Sequence, residues 1–259
     1  MSDDGFTELG WAKLDPDADL SDWIDAVRPA AITASNDPEL RRQWLRSGGT
    51  WFVGVNALGN DAAGRVGDGR PLPDTALAKA RSLCPHVQAL DRGQVSVAYP
   101  GYPQQDPQET DAAFRFRRDR AAAHLDGLHR GDAGSGRRFR EHHAFILGIP
   151  LCPVGAGSSP VVVWEGSQHI MRAFLQAELG DLPPAEWAKR DLGDAYAAAR
   201  REVFATCPQR EITTEIGDAY LLHRFAVHGV MPWGDGKTPR AVIYFRPEAA
   251  DLTEFLSAP

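Results

Sequence analysis

Six short runs of strand-forming residues follow one another in the second half of the chain: AHLDGL (123–128), HHAFILGIPLC (142–152), PVVVWEG (160–166), REITTEI (210–216), DAYLLHRF (218–225) and RAVIYFRP (240–247). Turn residues bound each run, and one long helical stretch, PPAEWAKRDLGDAYAAARREVFATC, separates the third from the fourth. Parallel sheets need a helix after nearly every strand, so this order predicts a closed or double-sheet β architecture, mainly β with helical decoration. A barrel of this kind commonly takes roughly 200–250 residues as one domain. The 259 residues, 43% hydrophobic and 24% charged, are therefore expected to form a single domain over 1–259.

Residues 1–110 are expected to supply helices and supporting strands around a core spanning 120–250. A helix is predicted after Asn36-Asp37-Pro38, with Asn36 or Asp37 as cap, Pro38 in the first turn and Gly48 ending it. TWFVGVNAL (50–58) and QVSVAYPGY (94–102) read as strands, with helix-like TALAKARSLC between them. YPGYPQQDPQET (99–110) reads as a long loop, either a lid or a surface excursion.

The net charge of −7 argues against nucleic-acid binding, which rests on clustered basic residues neutralising phosphates. No apolar run approaches the roughly 18–20 residues that span a bilayer. The acidic start MSDDGFTELGW lacks the basic and then greasy character of a secretory signal. No membrane association and a cytoplasmic location are expected. Cys84, Cys152 and Cys207 form no CxxC pair, which suits a reducing compartment.

Chemistry concentrates in two places. In His124-Leu125-Asp126 the two polar side chains share one face of an extended chain and could both reach one metal ion, although a lone HxD motif is weak. Farther on, IGDAYLLHRFAVHGVMPWGDGKTPRAVIYFRP offers a second imidazole, His228, then the Pro/Gly loop GVMPWGDGKTP, then Arg240, expected on the neighbouring strand and opening a β-rich run. Two histidines and one carboxylate occupy one face of an iron ion and leave positions open. The planar fork of Arg240 suits the distant carboxylate of a keto acid.

From about His124 to Pro247 the sequence resembles the phytanoyl-CoA dioxygenase-like iron(II)/2-oxoglutarate oxygenases. HLD, FILGIPL, SPVVVWEGSQH and GDAYLLHRFAVHG followed by Arg240 carry the resemblance. It implies a double-stranded β-helix, a cupin-like jelly-roll barrel. It also implies Fe(II) on His124, Asp126 and His228, with the far carboxylate of 2-oxoglutarate on Arg240. Halogenating relatives carry a small residue in place of the aspartate, so Asp126 points to hydroxylation or a related oxidation. The chain departs from the family at Val230, where a small hydroxyl residue is common, at Met231-Pro232-Trp233-Gly234, where an asparagine often stands, and at Gln168, inserted between Ser167 and His169.

Of the other histidines, His223 would face away from His228 on one unbroken strand, because five is an odd spacing. It is expected to pack or to support the site from behind. His129 is expected near the pocket mouth or in solvent, either His142 or His143 in the pocket wall, and His169 in a turn; His86 has no partner in the sequence pattern. His143, Trp233 and Tyr244 are the candidates for pocket lining, and Trp164 is a further candidate at the opening. The arginines at 115, 117, 118, 120, 130, 137, 138 and 140 bracket HLD and form either a solvated face or a mouth for an anionic substrate.

The expected function is iron(II)- and 2-oxoglutarate-dependent oxidation of a small organic molecule by molecular oxygen. Two rival readings are a zinc-dependent hydrolase using the same triad and a non-catalytic jelly-roll binding protein.

Overall fold

The computed structural model describes residues 4–84, 87, 89–131 and 136–257. Twelve strands are described: β1 (Trp11–Leu14), β2 (Leu45–Arg46), β3 (Trp51–Gly54), β4 (Gln94–Ala98), β5 (Leu128–Arg130), β6 (Arg137–Phe139), β7 (Phe145–Pro150), β8 (Val161–Trp164), β9 (Gln209–Ile212), β10 (Ala219–His223), β11 (His228–Val230) and β12 (Arg240–Phe245). The helices are α1 (Asp4–Leu9), α2 (Ala18–Asn36), α3 (Pro38–Trp44), α4 (Asp74–Leu83), α5 (Asp111–Asp119), α6 (Ser167–Leu179), α7 (Pro184–Trp187) and α8 (Gly193–Thr206). Sheets form the centre as expected, but helical residues outnumber strand residues among those described, so helix is more than decoration.

Every strand pairing is antiparallel. The large sheet runs β1-β10-β7-β12-β4-β3-β2 and the small one β11-β8-β9, while β5 and β6 form a separate hairpin. His124 bridges to His228 and so extends the small sheet beyond β11. Ile146, Tyr220, Leu222 and Val242 from the large sheet meet Val161, Val163 and Ile212 from the small one, so the two sheets face each other across a shared core.

Alternation along each strand builds two further layers. On β12, Val242 joins this inner core, whereas Ile243 and Phe245 join an outer core with Leu20, Trp23, Ile24 and Val27 of α2 and Ala76, Leu77 and Ala80 of α4. The α2 spacing of three and four residues puts one apolar stripe on the sheet. Val162 and Trp164 point out of the small sheet onto Met171 and Leu175 of α6 and Tyr196 and Val203 of α8.

Two predicted elements end differently from expectation. Asp37 caps α3 as expected, accepting from the amides of Glu39 and Leu40 at 2.9 Å. The helix stops at Trp44 and not at Gly48, because Leu45 and Arg46 pair with Phe52 and Trp51. The run 218–225 breaks after His223: β10 lies in the large sheet and β11 in the small one, so residues 224–227 carry the chain across. The 99–110 loop is tied down, with the Trp233 amide donating to the Tyr102 carbonyl at 2.6 Å and Asp106 accepting from the amides of Ser47 and Gly48 at 2.9 and 2.7 Å.

Gly148 fixes the inner surface. It pairs with Tyr220 on one side and Tyr244 on the other, and the two phenols lean together above it, the Tyr220 hydroxyl donating to that of Tyr244 at 3.0 Å. A Cβ at Gly148 would lie 2.3 Å from the Tyr220 ring. Gly148→Ala is therefore expected to cost about 1–3 kcal/mol through overpacking, measured as a lower denaturation midpoint; an unchanged midpoint would refute this role.

Candidate metal centre

The HLD segment forms no regular strand. Its His124 amide donates to the His228 carbonyl at 2.9 Å and the His228 amide donates back to His124 at 3.1 Å, so the two histidines sit directly opposite each other across an antiparallel bridge. Their side chains leave on the same face, with ring centroids 4.5 Å apart. Gly229 permits this closeness, since a Cβ there would stand 2.1 Å from the Ala121 carbonyl oxygen, which accepts from the Val230 amide at 2.9 Å.

Asp126 completes the group. Its Oδ1 lies 3.1 Å from His124 Nε2 and 3.7 Å from His228 Nε2, and one ligand atom from each residue falls within 4.8 Å of the others. Adjacent donors at about 2.1 Å from one ion, at right angles, stand about 3 Å apart. Both imidazoles are held alike: Nδ1 of His124 meets the Ala122 carbonyl at 3.0 Å, and Nδ1 of His228 meets the Ala226 carbonyl at 3.0 Å. A carbonyl only accepts, so each Nδ1 carries the proton and each Nε2 presents a lone pair to the centre.

The electrostatics suit a cation. Burial opposes ionisation of Asp126, but His228, His124 and Arg246 hold its carboxyl well below the ordinary range. Burial also opposes charge on His124, but the hydrogen bond that the protonated ring makes to Asp126, the charge of that carboxylate and the Ala122 carbonyl together push its pKa up. His228 is pushed down to about 4 by burial and by the neighbouring His124. The pair thus accepts one proton readily and a second only with difficulty. Arg246, on the inner face as alternation predicts, reaches Asp126 Oδ2 at 3.4 Å and donates to Gln94 Oε1 at 2.5 Å.

Arg240 lies on the facing large sheet and not on a strand beside β11, contrary to the sequence expectation. The intervening loop crosses between sheets. The side chain is 1% exposed, and its Nη2 donates to the Tyr244 hydroxyl at 3.1 Å, while Nε and Nη1 have no partner among the described residues. Burial works against its charge, but the oxygens of Tyr244 and Tyr220 raise its pKa further. The buried Tyr102 hydroxyl makes no hydrogen bond within 3.5 Å among the described residues, and Arg117 and Arg240 are the cations that act on it. Sequence reading missed Tyr102 because it sits in a proline-rich stretch that looks like loop. Tyr244 stands beside Arg240 as expected.

Other residues have other work. His143 is turned to Glu141 Oε2 at 3.1 Å and the Arg246 carbonyl at 3.0 Å. His142 is ringed by Phe139, Trp187 and Phe255 behind the small sheet. His129 is exposed beside Glu141 at 3.2 Å. His223 is buried, accepting from the Phe225 amide and meeting Arg172 at 3.1 Å, so it packs as expected, although the broken strand removes the parity argument. Gln168 donates to the carbonyls of Thr7 and Glu8 and ties down the end of α1, and His169 touches it at 3.2 Å. Trp233 is half-buried against Tyr102, Val230 and Ala98, whereas Trp164 faces outward into the helical layer. His86 lies outside the described residues.

No protein-family model matches the chain, and no curated protein matches it in sequence. Solved structures do match in fold. AviO1 from Streptomyces viridochromogenes Tue57 is 17% identical, with 99% of this chain and 96% of that one covered, at a TM-score of 0.51. SnoK, a non-heme alpha-ketoglutarate-dependent carbocyclase from nogalamycin biosynthesis, is 16% identical, with 97% and 88% covered, at 0.52. The shared fold spans nearly the whole chain, including residues 1–110, for which the sequence suggested no relative. No described helix is long and apolar enough to cross a membrane.

Proposed function

We propose that this chain is an iron(II)- and 2-oxoglutarate-dependent oxygenase of a small organic molecule. The observation that carries the proposal is the convergence of three metal-type ligands, both imidazoles locked with Nε2 inward, together with a buried arginine on the opposite sheet whose Nε and Nη1 have no partner among the described residues. The strand orders β4-β12-β7-β10 and His124-β11-β8-β9, facing each other, read as a double-stranded β-helix. SnoK shares the fold and is named as a ketoglutarate-dependent enzyme, which agrees with this reading.

The donor set fits iron(II): two neutral imidazoles and one carboxylate on one side leave room for further ligands. When bound, iron supplies with 2-oxoglutarate and oxygen the oxidation of a substrate C–H bond to C–OH, releasing succinate and carbon dioxide. The residues of this chain hold and orient. His124, Asp126 and His228 would bind the metal, and Arg246 and Gln94 would fix the carboxylate plane of Asp126. Arg240 would pair with the far carboxylate of 2-oxoglutarate, an anion for which its charge and its unpartnered nitrogens are available. Tyr244 and Tyr102 would supply the hydroxyls that Val230 lacks.

Tyr102→Phe should weaken 2-oxoglutarate binding by about 10- to 150-fold, the worth of one hydrogen bond to a charged group, in direct titration; unchanged affinity would remove Tyr102 from the site. Succinate formation from iron-loaded protein, abolished in His124→Ala, tests the whole reading. A protein that takes up iron and never consumes 2-oxoglutarate would defeat it.

A further inference from the structure

A recess of about 700 Å³ opens beside the HLD segment, between α5, α8 and the β5–β6 hairpin, and reaches His124 itself. Arg130, Arg137 and Arg200 come to it from three separate elements, and a smaller hollow lined by the same three continues from it. None of the three has an ion pair among the described residues, whereas Arg117 is bound to Glu109 at 2.7 Å and Arg138 to Asp191 at 3.0 Å. The carboxylates facing the recess are already engaged, Glu109 by Arg117 and Asp106 by the amides of Ser47 and Gly48. The geometry points to a binding site for a phosphoryl group carried by the substrate, docked on Arg130, Arg137 and Arg200 with the rest of the molecule directed toward His124.

Three physical features support it. Arg200 is held in place by stacking, its guanidinium carbon 4.4 Å from the Phe116 ring centre and 5.2 Å from that of Tyr196. Burial, and behind it the charges of Arg130 and Arg200, hold Arg137 below the ordinary arginine pKa. Like charges brought together cost free energy that a bound anion relieves. Tyr196 links the recess to the metal segment by accepting from the Leu125 amide, between His124 and Asp126, at 3.3 Å. Three guanidinium groups suit a tetrahedral dianion better than a single carboxylate, which one arginine satisfies bidentately.

The inference rests on the oxygenase reading for its placement beside a reacting centre, but its test does not. Inorganic phosphate titrated into the full-length protein by calorimetry should bind, and the Arg137→Gln/Arg200→Gln double variant should weaken it at least about tenfold, since each lost charge-assisted bond is worth about 1.5–3 kcal/mol. Acetate should bind at least about tenfold more weakly than phosphate, and Arg240→Met should leave phosphate affinity as it is. Arg200→Lys, which keeps the charge, guards against loss through misfolding and should retain part of the affinity. Absent phosphate binding, equal binding of acetate, or loss in Arg240→Met with none in the double variant would overturn the assignment. If phosphate fails to bind while iron and 2-oxoglutarate form their complex, the recess alone is refuted; if phosphate binds and that complex never forms, the oxygenase reading falls and the anion site stands.

Discussion

His228→Ala should purify with essentially no iron, where the parent protein holds about one ion per chain. Substrate-stimulated succinate formation should fall by more than the roughly 10–100-fold that follows loss of a residue merely supporting a ligand. The structural reason is that His228 organises the site twice. Its ring gives one of three inward-facing donor atoms, and its backbone forms both hydrogen bonds of the bridge that fixes His124. Alanine keeps the backbone bridge, so the fold should persist while the metal is lost. Retention of tightly bound, catalytically competent iron would remove His228 from the ligand set.

Arg240→Met should cost about 2–5 kcal/mol of 2-oxoglutarate binding, about 30- to 4000-fold, as expected when one partner of a buried charge pair is truncated. The same change should leave the denaturation midpoint unchanged or raise it. Arg240 is 1% exposed with two nitrogens unpartnered among the described residues, and a buried charge without a counter-ion carries a desolvation cost that an apolar side chain does not. A purely structural arginine would give the opposite pattern, with lost stability and intact ligand affinity. Arg240→Lys keeps the charge without the fork and should fall between the two.

Much of this site was legible in the sequence because two kinds of signal are local. The two-residue spacing of His124 and Asp126 fixes a shared face wherever the chain is extended, and the alternation in RAVIYFR correctly groups Arg240, Tyr244 and Arg246 on the inner side. Those signals do not depend on knowing which strand lies beside which. The antiparallel partnership of residue 124 with residue 228 depends on chain reversal over a hundred residues, and no short pattern encodes it.

The departures have the same origin. The place of His143 before a strand does not reveal that the chain enters β7 with that side chain turned toward Glu141. Arg240 was expected on the strand next to His228 because consecutive strands usually neighbour each other; here the loop GVMPWGDGKTP steps from one sheet to the other. Tyr102 was hidden in YPGYPQQDPQET, whose composition signals a loop and says nothing of the anchors at Asp106 and Trp233 that press it inward.

The central claim is that one ion on His124, Asp126 and His228 shares a cavity with a keto acid held by Arg240. Anaerobic addition of iron(II) and then 2-oxoglutarate tests it most directly, read as the weak visible charge-transfer band of a keto acid chelated to ferrous iron. The band should appear at about one equivalent of iron, disappear in His228→Ala, and in Arg240→Met require far more 2-oxoglutarate to form. Iron-loaded protein that develops no band at any 2-oxoglutarate concentration, or a centre that retains zinc in preference and never yields the ferrous chelate, would contradict the account.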